Sequence, residues 1–390
     1  MYSLRLVRDI IGQHAEPGVR VLDPFCGTGT TALVAAELGH PAVTTDINPF
    51  LLWMAAAKTR TYSPVELVAA ADLATSIERA LLDESAGTDW IPPIANVERW
   101  WAPPVLAALS RAWRAIREAA LPEPARDLLT VAFLRIVIEG GRISFGHQSM
   151  SFREDDQLGT SIPELAGHWR NALGDVLAGA SSVLLVGAVV RRSDARDLAE
   201  LADGSADLVI SSPPYCNRMS YIRELRPQMY WLGLLREARE AGELDWLAIG
   251  GTWGIATSRV GQWEAPLGSL EVPFDGFERI VEEVSERSDV LGRYIRKFFI
   301  DLTQHVHALA RVVSDGGQVH YIVGNSKFFD TMVPMEQILA ATFAAHGFTS
   351  PMIETLRKRS SKRELFEFHV SARRASPRAR PLDVGTLRRP

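Results

Sequence analysis

Cysteine is almost missing from this chain. Only Cys26 and Cys216 occur in 390 residues, far apart in sequence and able to form one disulfide at most, which fits a reducing, cytosolic setting better than a stapled secreted scaffold. No His/Cys group has the spacing of a metal site, so no metal is expected. No run of about 18 apolar residues occurs, and the opening "MYSLRLVRDIIGQHAEPG" has too short an apolar core and too many charges for a signal peptide. A soluble cytoplasmic protein with no membrane partner is expected. An excess of positive charge is missing as well: the net charge is −5, which argues against a nonspecific binder of polyanions. The charge is uneven, however. Residues 351–390 hold eleven Lys/Arg and four Asp/Glu, or +7, leaving −12 for the first 350. A solvated strand followed by a disordered Arg-rich tail over 376–390 explains this, and so does a nucleic-acid contact surface. With 47% hydrophobic and 23% charged residues, the chain can bury a sizeable core, as one large domain with an insertion or as two smaller ones. There is no internal repeat.

"SLRLVRDIIGQHA" has apolar residues near helical spacing. "GVRVLDPFCGTGTTALVAAELG" then reads as a buried strand, a glycine loop and an Ala-rich helix, and "PAVTTDIN" as a second strand ending at Asp46. Strand, loop, helix and strand within about thirty residues make a βαβ unit with parallel strands and a right-handed crossover. From about residue 51 to 182 the pattern turns helical, with segments such as "SPVELVAAADLATSIERALL" and "PPVLAALSRAWRAIREAAL" between Pro-rich joints and no strong strand. Alternation resumes with "SSVLLVGAVVRRSDARDLAEL" and "SADLVISSPPY", followed by a helical stretch "SYIRELRPQMYWLGLLREAREAG". "IGGTWGIATSRVGQW" reads as an exposed or ligand-facing loop. An amphipathic helix "GRYIRKFFIDLTQHVHALARVV", a strand "GGQVHYIVGNS", a helix "MEQILAATFAAHGF" and a closing strand pair, "MIETLRK" with "ELFEFHVSARR", complete the chain. The expected fold is α/β: a Rossmann-like, mostly parallel sheet with an antiparallel closing strand, formed by residues 1–55 and 183–375 and interrupted after its second strand by a large helical insertion over 56–182.

"GTGTTA", Gly27 to Ala32, satisfies G-x-G-x-x-[GA], and Asp46 lies near where a dinucleotide-binding fold places its ribose-binding acid. A nicotinamide or flavin enzyme is therefore one reading. The residues ahead of the glycines separate the readings. Here "DPFC" intervenes, setting Asp23 at the carboxyl end of the strand, where it would repel a pyrophosphate. The same acid suits a ligand with an ammonium group. S-adenosylmethionine has a sulfonium, an α-amino group and a ribose diol, which match one acid at the end of each of the first two strands.

"DPFCGTGT" resembles the cofactor motif of the amino-group DNA methyltransferases, and "SSPPY" resembles their catalytic motif, Asp, Asn or Ser before Pro-Pro-aromatic. "DIN" at the second strand's end and "SDARDL" before the fourth strand strengthen the match, and "SPPYCNR" with the late "RKRSSKRELFEF" is similar to one subgroup of bacterial modification methylases. The resemblance covers residues 1–50 and about 183–375. It implies S-adenosylmethionine as cofactor, with Phe25, Gly27 and Gly29 shaping its loop, Asp23 facing the methionine end, Asp46 taking the ribose hydroxyls and Asp194 the adenine amino group. Pro24, Thr30, Asn48 and Ala195 belong to the same motifs. Local alternatives stand beside these roles: a plain tight turn for the glycines, a helix N-cap for Asp46, and Asp197 in place of Asp194.

An exocyclic amine is a poor nucleophile because its lone pair is delocalised into the ring. Acceptors aimed at both N–H bonds favour a pyramidal nitrogen and return the lone pair for in-line attack on a methyl group. Ser212 can supply a hydroxyl and Pro213 a backbone carbonyl, which Pro214 helps to fix in direction, while Tyr215 offers a face for stacking. A base in a duplex has to be flipped out to reach such a site. No covalent intermediate is needed, so Cys216, which follows Tyr215, and Cys26 are expected to be inert. Within the family the Ser form goes with cytosine targets, although such enzymes often place this motif ahead of the glycine motif, whereas here the glycines come first.

Two regions are candidates for reading DNA. One is the insertion, with "ERWWAPP" and "GRISFGHQSMSFRED", where Trp100 and Trp101 also read as core and His147 as a polar loop residue. The other is 216–300, where Arg218, Arg223 and Arg226 follow the catalytic turn. The expected function is methylation of cytosine N4 in duplex DNA within a bacterial or phage modification system, with a cognate restriction endonuclease as a possible partner. The alternatives are an adenine-N6 enzyme, an RNA guanine-N2 methyltransferase, a dinucleotide-dependent oxidoreductase, and a catalytically idle DNA- or cofactor-binding protein.

Overall fold

A computed structural model describes residues 3–85, 87, 90–144, 151–152, 160–359 and 364–376. His147, the segment 360–363 within "RKRSSKRE" and the tail from 377 lie outside the described residues. Seven strands form the main sheet: β1 (Val21–Asp23), β2 (Ala42–Asp46), β3 (Ala188–Arg192), β4 (Ala206–Ser211), β5 (Val313–Gly324), β6 (Phe348–Lys358) and β7 (Phe366–Arg374), in spatial order 3-2-1-4-5-7-6. The first five are mutually parallel, and β7 runs antiparallel to both β5 and β6. This is the expected mostly parallel sheet with its antiparallel closure.

Strand alternation splits the core into two layers. Val21, Leu208, Ile210 and Ile322 face α1 (Leu4–His14) and α2 (Thr30–Glu37). Leu22, Val209, Val319 and Tyr321 face the opposite layer, built chiefly from the long helix Asp289–Val312 and the helix Met335–Ala345. Chain order reverses direction between β1 and β4, and in open α/β sheets the crevice at that switch point is where ligands bind.

After β2 and α3 (Pro49–Thr59) come the insertion helices Pro64–Asp72, Ala74–Leu82, Pro103–Glu118, Glu123–Glu139 and Ile162–Ala180. "SPVELVAAADLATSIERALL" is thus two helices, separated at Leu73. The insertion shares one core with the body of the protein: its Trp100, Trp101, Phe133 and Trp169 pack in the same cluster as Phe50 and Leu51 of α3 and Ile222, Met229, Tyr230 and Trp231 of the helix Tyr221–Trp231. Trp100 and Trp101 are therefore core residues. Asp127 fastens the same seam, accepting from Trp53 Nε1 at 3.0 Å and Arg60 at 3.1 Å.

Two segments depart from the sequence reading. The helix after the catalytic turn stops at Trp231, and Gly233 adopts a φ of +68° before a second helix, Ala238–Leu247, begins. The Gly/Trp segment contains a helix, Ile255–Gln262, entered through Gly254 at φ +61°. Its glycines provide that entry, and Ala256 and Val260, four residues apart, are its buried positions.

Trp231 is completely buried and meets Trp90, Trp101 and Phe133 edge-on at 5.2–5.8 Å between ring centroids. Its Nε1 has no hydrogen-bond partner among the described residues. Trp231→Ala should destabilise the protein by about 3–5 kcal/mol through the cavity it leaves. Trp231→Phe keeps most of the aromatic contact and loses no hydrogen bond, so denaturant unfolding should show well under half that cost.

Candidate active site

The carboxyl ends of β1, β2 and β4 meet at the switch point. Asp23 ends β1 at 1% exposure, and a charge so deep requires hydrogen-bond donors. Its Oδ1 accepts from Phe25 N–H at 3.1 Å and from the Ser211 hydroxyl at 2.5 Å. Thr44 Oγ1 donates to the Asp23 carbonyl at 3.0 Å, and Cys26 N–H to the Thr45 carbonyl at 2.9 Å, so the "DPFC" loop is stitched to β2. Thr31 Oγ1 donates to the Ile210 carbonyl at 3.1 Å and pins α2 to β4.

Gly27 and Gly29 both take positive φ, +51° and +76°. Gly29, the residue before Thr30 opens α2, has a second reason to lack a side chain: a Cβ there would stand 2.9 Å from Ala55 Cβ, where α3 crosses. Asp46 ends β2 and accepts from Asn48 N–H at 2.9 Å. Burial pushes its carboxyl up to about 6, against the pull of the Asn48, Gly27 and Ile47 N–H groups. The N-cap of α3 is Asn48, whose Oδ1 accepts from Phe50 N–H at 3.0 Å, so Asp46 is not spent on capping. Asn48 Nδ2 is buried with no partner among the described residues.

Asp194 follows β3 and is occupied by its neighbour. Arg196 donates to it from the backbone at 2.9 Å and from Nε at 3.0 Å, and these bonds hold the Asp194 carboxyl below its ordinary range although burial works the other way. A cleft of about 580 Å³ opens beside this pair and is lined by Asp194, Arg196, Trp246, Trp263, Lys297 and Asp301 among others. Ala195 is buried.

The two serines of "SSPPY" divide the work. Ser211, still within β4, turns inward to Asp23. Ser212 is half-buried at the strand end, beside the Tyr215 phenol. Pro213 is buried and Pro214 half-buried. Tyr215 is positioned from the far end of the chain: its phenol donates to Glu367 Oε1 at 3.3 Å, Arg357 Nε donates to Glu367 Oε2 at 2.6 Å, and the Arg359 guanidinium lies 5.4 Å from the ring centroid. Its ring also touches Gly324, where a Cβ would come within 2.9 Å of Tyr215 Cε2. Cys26 and Cys216 are buried free thiols, and burial pushes both upward, so neither is a thiolate nucleophile.

Of the three arginines, Arg218 alone is exposed, in a left-handed conformation (φ +61°) with its N–H donated to the Tyr294 hydroxyl at 3.1 Å. Arg223 is half-buried and partnered within the protein. Arg226 is wedged between Trp253 and Trp100, 4.3 and 5.3 Å from their ring centroids, and joins the insertion to the Gly/Trp segment rather than reaching for a phosphate. Ser211 and the Glu367–Arg357 pair were missed by sequence reasoning. Strand alternation was the one available signal, since it sends two adjacent serines opposite ways.

Residues 2–57 match the family model described as DNA methylase. Across 364 residues, 86% of this chain and 76% of the relative, the sequence is 23% identical to the type II methyltransferase M.MvaI of Kocuria varians. The type II methyltransferase M.BsoBI of Geobacillus stearothermophilus is 24% identical over 188 residues, 44% of this chain and 37% of the relative. The rRNA methyltransferase aviRa of Streptomyces viridochromogenes superposes at a TM-score of 0.29 with 13% identity, covering 95% of this chain and 85% of its own. No described helix is long and apolar enough to cross a membrane. A DNA-methylase match over the glycine loop, a type II methyltransferase aligned along most of the chain and a sheet that brings both motifs to its switch point bear out the resemblance to the amino-group DNA methyltransferases read from the sequence.

Proposed function

We propose that the protein methylates cytosine N4 on a base flipped out of duplex DNA, as the modification enzyme of a bacterial or phage system. The observation that carries this reading is the serine form of the catalytic motif at the end of β4. There Ser212 stands beside Tyr215 while Ser211 ties the same strand end to Asp23. The pocket suits the cofactor in its donor and acceptor set: two acids at adjacent strand ends, two left-handed glycines, and an Asn48 amide with an unused buried donor. Asp23, Pro24, Phe25, Gly27, Gly29 and Thr30 would hold its methionine half, Asp46 and Asn48 its ribose, and Asp194 and Ala195 its adenine. Bound there, S-adenosylmethionine supplies an electrophilic methyl group on its sulfonium.

The chain's own residues act on the amine. The Ser212 hydroxyl and the Pro213 carbonyl each accept one N–H, which localises the nitrogen lone pair as it attacks. One amine proton then departs through Ser212 toward solvent, leaving a neutral N-methyl amine. Tyr215 stacks on the base and returns roughly 1–3 kcal/mol of the cost of flipping. Arg218, exposed and fixed through its backbone, is the arginine best suited to a phosphate.

Incubation with labelled cofactor and mixed genomic DNA, followed by digestion and mass spectrometry, should yield N4-methylcytosine. N6-methyladenine would shift the target base to adenine, and no modified nucleoside would refute the reading. Ser212→Ala should lower kcat by about 10²-fold while leaving cofactor affinity nearly unchanged in calorimetry. Because burial pushes the Asp46 carboxyl up to about 6 and its ionised form, with both oxygens as acceptors, holds the two ribose hydroxyls more strongly than the protonated acid, affinity for S-adenosylhomocysteine should be full above that pH. Below it, affinity should fall by up to about tenfold per pH unit. Asp46→Asn should bind more weakly and show no such pH dependence.

A further inference from the structure

His305 lies midway along the helix Asp289–Val312, completely buried, on the face that meets β5. Its Nδ1 is 2.7 Å from the Ala195 carbonyl and its Nε2 is 2.6 Å from the Tyr321 hydroxyl. A carbonyl only accepts, so Nδ1 carries the proton, Nε2 presents a lone pair, and the Tyr321 hydroxyl must be the donor. The direction of the chain is thereby fixed. Burial pushes the imidazole down to about 4, which keeps it neutral and preserves this tautomer through the neutral range. The same ring meets Phe25 nearly edge-on, with centroids 4.8 Å apart and planes at 69°. Tyr321 sits in β5 directly across from Ser211, the residue whose hydroxyl binds Asp23, and the charge of Asp23 acts on its phenol.

A buried histidine in an α/β core often just satisfies a stray carbonyl. His305 differs in what it touches. Ala195 belongs to the loop after β3 and Phe25 to the loop after β1, and these are the two loops that flank the cofactor site on either side of β2. A single rigid ring therefore spans the back of the pocket.

We propose that His305 is a positioning residue for the cofactor pocket: its imidazole holds the Ala195 loop and the Phe25 loop at a fixed separation, and Tyr321 locks the tautomer that lets it do so. This rests on the cofactor reading of the site. Leu at 305 fills similar space yet makes neither hydrogen bond, so Ala195 is released. Gln can donate its amide N–H to Ala195 and accept from Tyr321.

The test is calorimetric titration of the full-length protein with S-adenosylhomocysteine, alongside kcat at saturating cofactor and the thermal midpoint. His305→Leu should raise Kd at least about tenfold, the equivalent of the lost hydrogen bonds, with kcat changed by less than about threefold. His305→Gln should restore Kd to within about threefold of the parent, and Tyr321→Phe should weaken binding by about three- to tenfold because the lone pair on Nε2 loses its donor. Parent-like binding by both His305→Leu and Tyr321→Phe overturns the proposal. So does failure of His305→Gln to restore binding while its thermal midpoint is normal. If His305→Leu does not fold, Gln and Phe decide. Lack of binding by the parent protein would instead refute the cofactor reading itself.

Discussion

A carboxylate at the end of the central strand, almost wholly removed from water, is the constraint on which the rest of this site depends. Asp23 cannot stay ionised there without donors, and two of them come from Phe25 N–H, two residues on, and the Ser211 hydroxyl, 188 residues on. The first bond makes the chain double back at once, so the loop that follows must turn tightly, and Gly27 and Gly29 occupy the left-handed conformations that make this possible. The second bond joins the end of β1 to the end of β4. The glycine loop and the Ser-Pro-Pro-Tyr turn are therefore parts of one hydrogen-bonded unit, and an error in either would leave a buried acid unsatisfied.

The catalytic turn is braced from outside the sheet as well. The Ser220 hydroxyl donates to the fully buried Asp245, which also accepts from Trp253 N–H at 2.7 Å. Gly251 passes so close to this carboxylate's backbone that a Cβ would collide with the Asp245 carbonyl. Arg226 continues the brace into the insertion through Trp253 and Trp100. Because the helix Tyr221–Trp231 buries its apolar side in the insertion's own core, a displacement of the helical layer would be transmitted to the turn that ends in Ser212, Pro213 and Tyr215. Packed side chains respond to such a load as a unit rather than by gradual yielding.

What could be read in advance divides along a physical line. The strands, the glycine loop, Asp23, Asp46 and the Ser-Pro-Pro-Tyr turn were legible because their signals are local: alternation, φ restrictions, and an acid at a strand end. The helical insertion was legible as a change of period. Its union with α3 and the helix after the catalytic turn was not, since nothing in "RELRPQMYW" states which core will accept Trp231. The placement of Arg226 was not legible for the same reason, because a surface guanidinium and one held between two indoles have identical local sequence. Nothing in "SDARDL" shows that Arg196, two residues on, donates to the Asp194 carboxyl from both its backbone and its guanidinium. The Gly/Trp segment read as a loop because its glycines outweighed a short helical repeat.

The antiparallel closure shows most clearly why the setting of Tyr215 could not have been understood from its own motif. Tyr215 follows β4, yet its phenol is oriented by Glu367 of β7, and Glu367 is held by Arg357 of β6. A carboxylate with a single long bond to a phenol would be free to turn. The short Arg357 contact fixes it, and holds the Glu367 carboxyl below its ordinary range although burial opposes this. β7 reaches the position because it pairs antiparallel to β5, with Glu367 opposite Gly324, and Gly324 is where the Tyr215 ring lies against bare backbone. The edge hairpin thus does more than end the sheet: it fixes the aromatic ring that follows β4, from strands that lie more than 130 residues further along the chain.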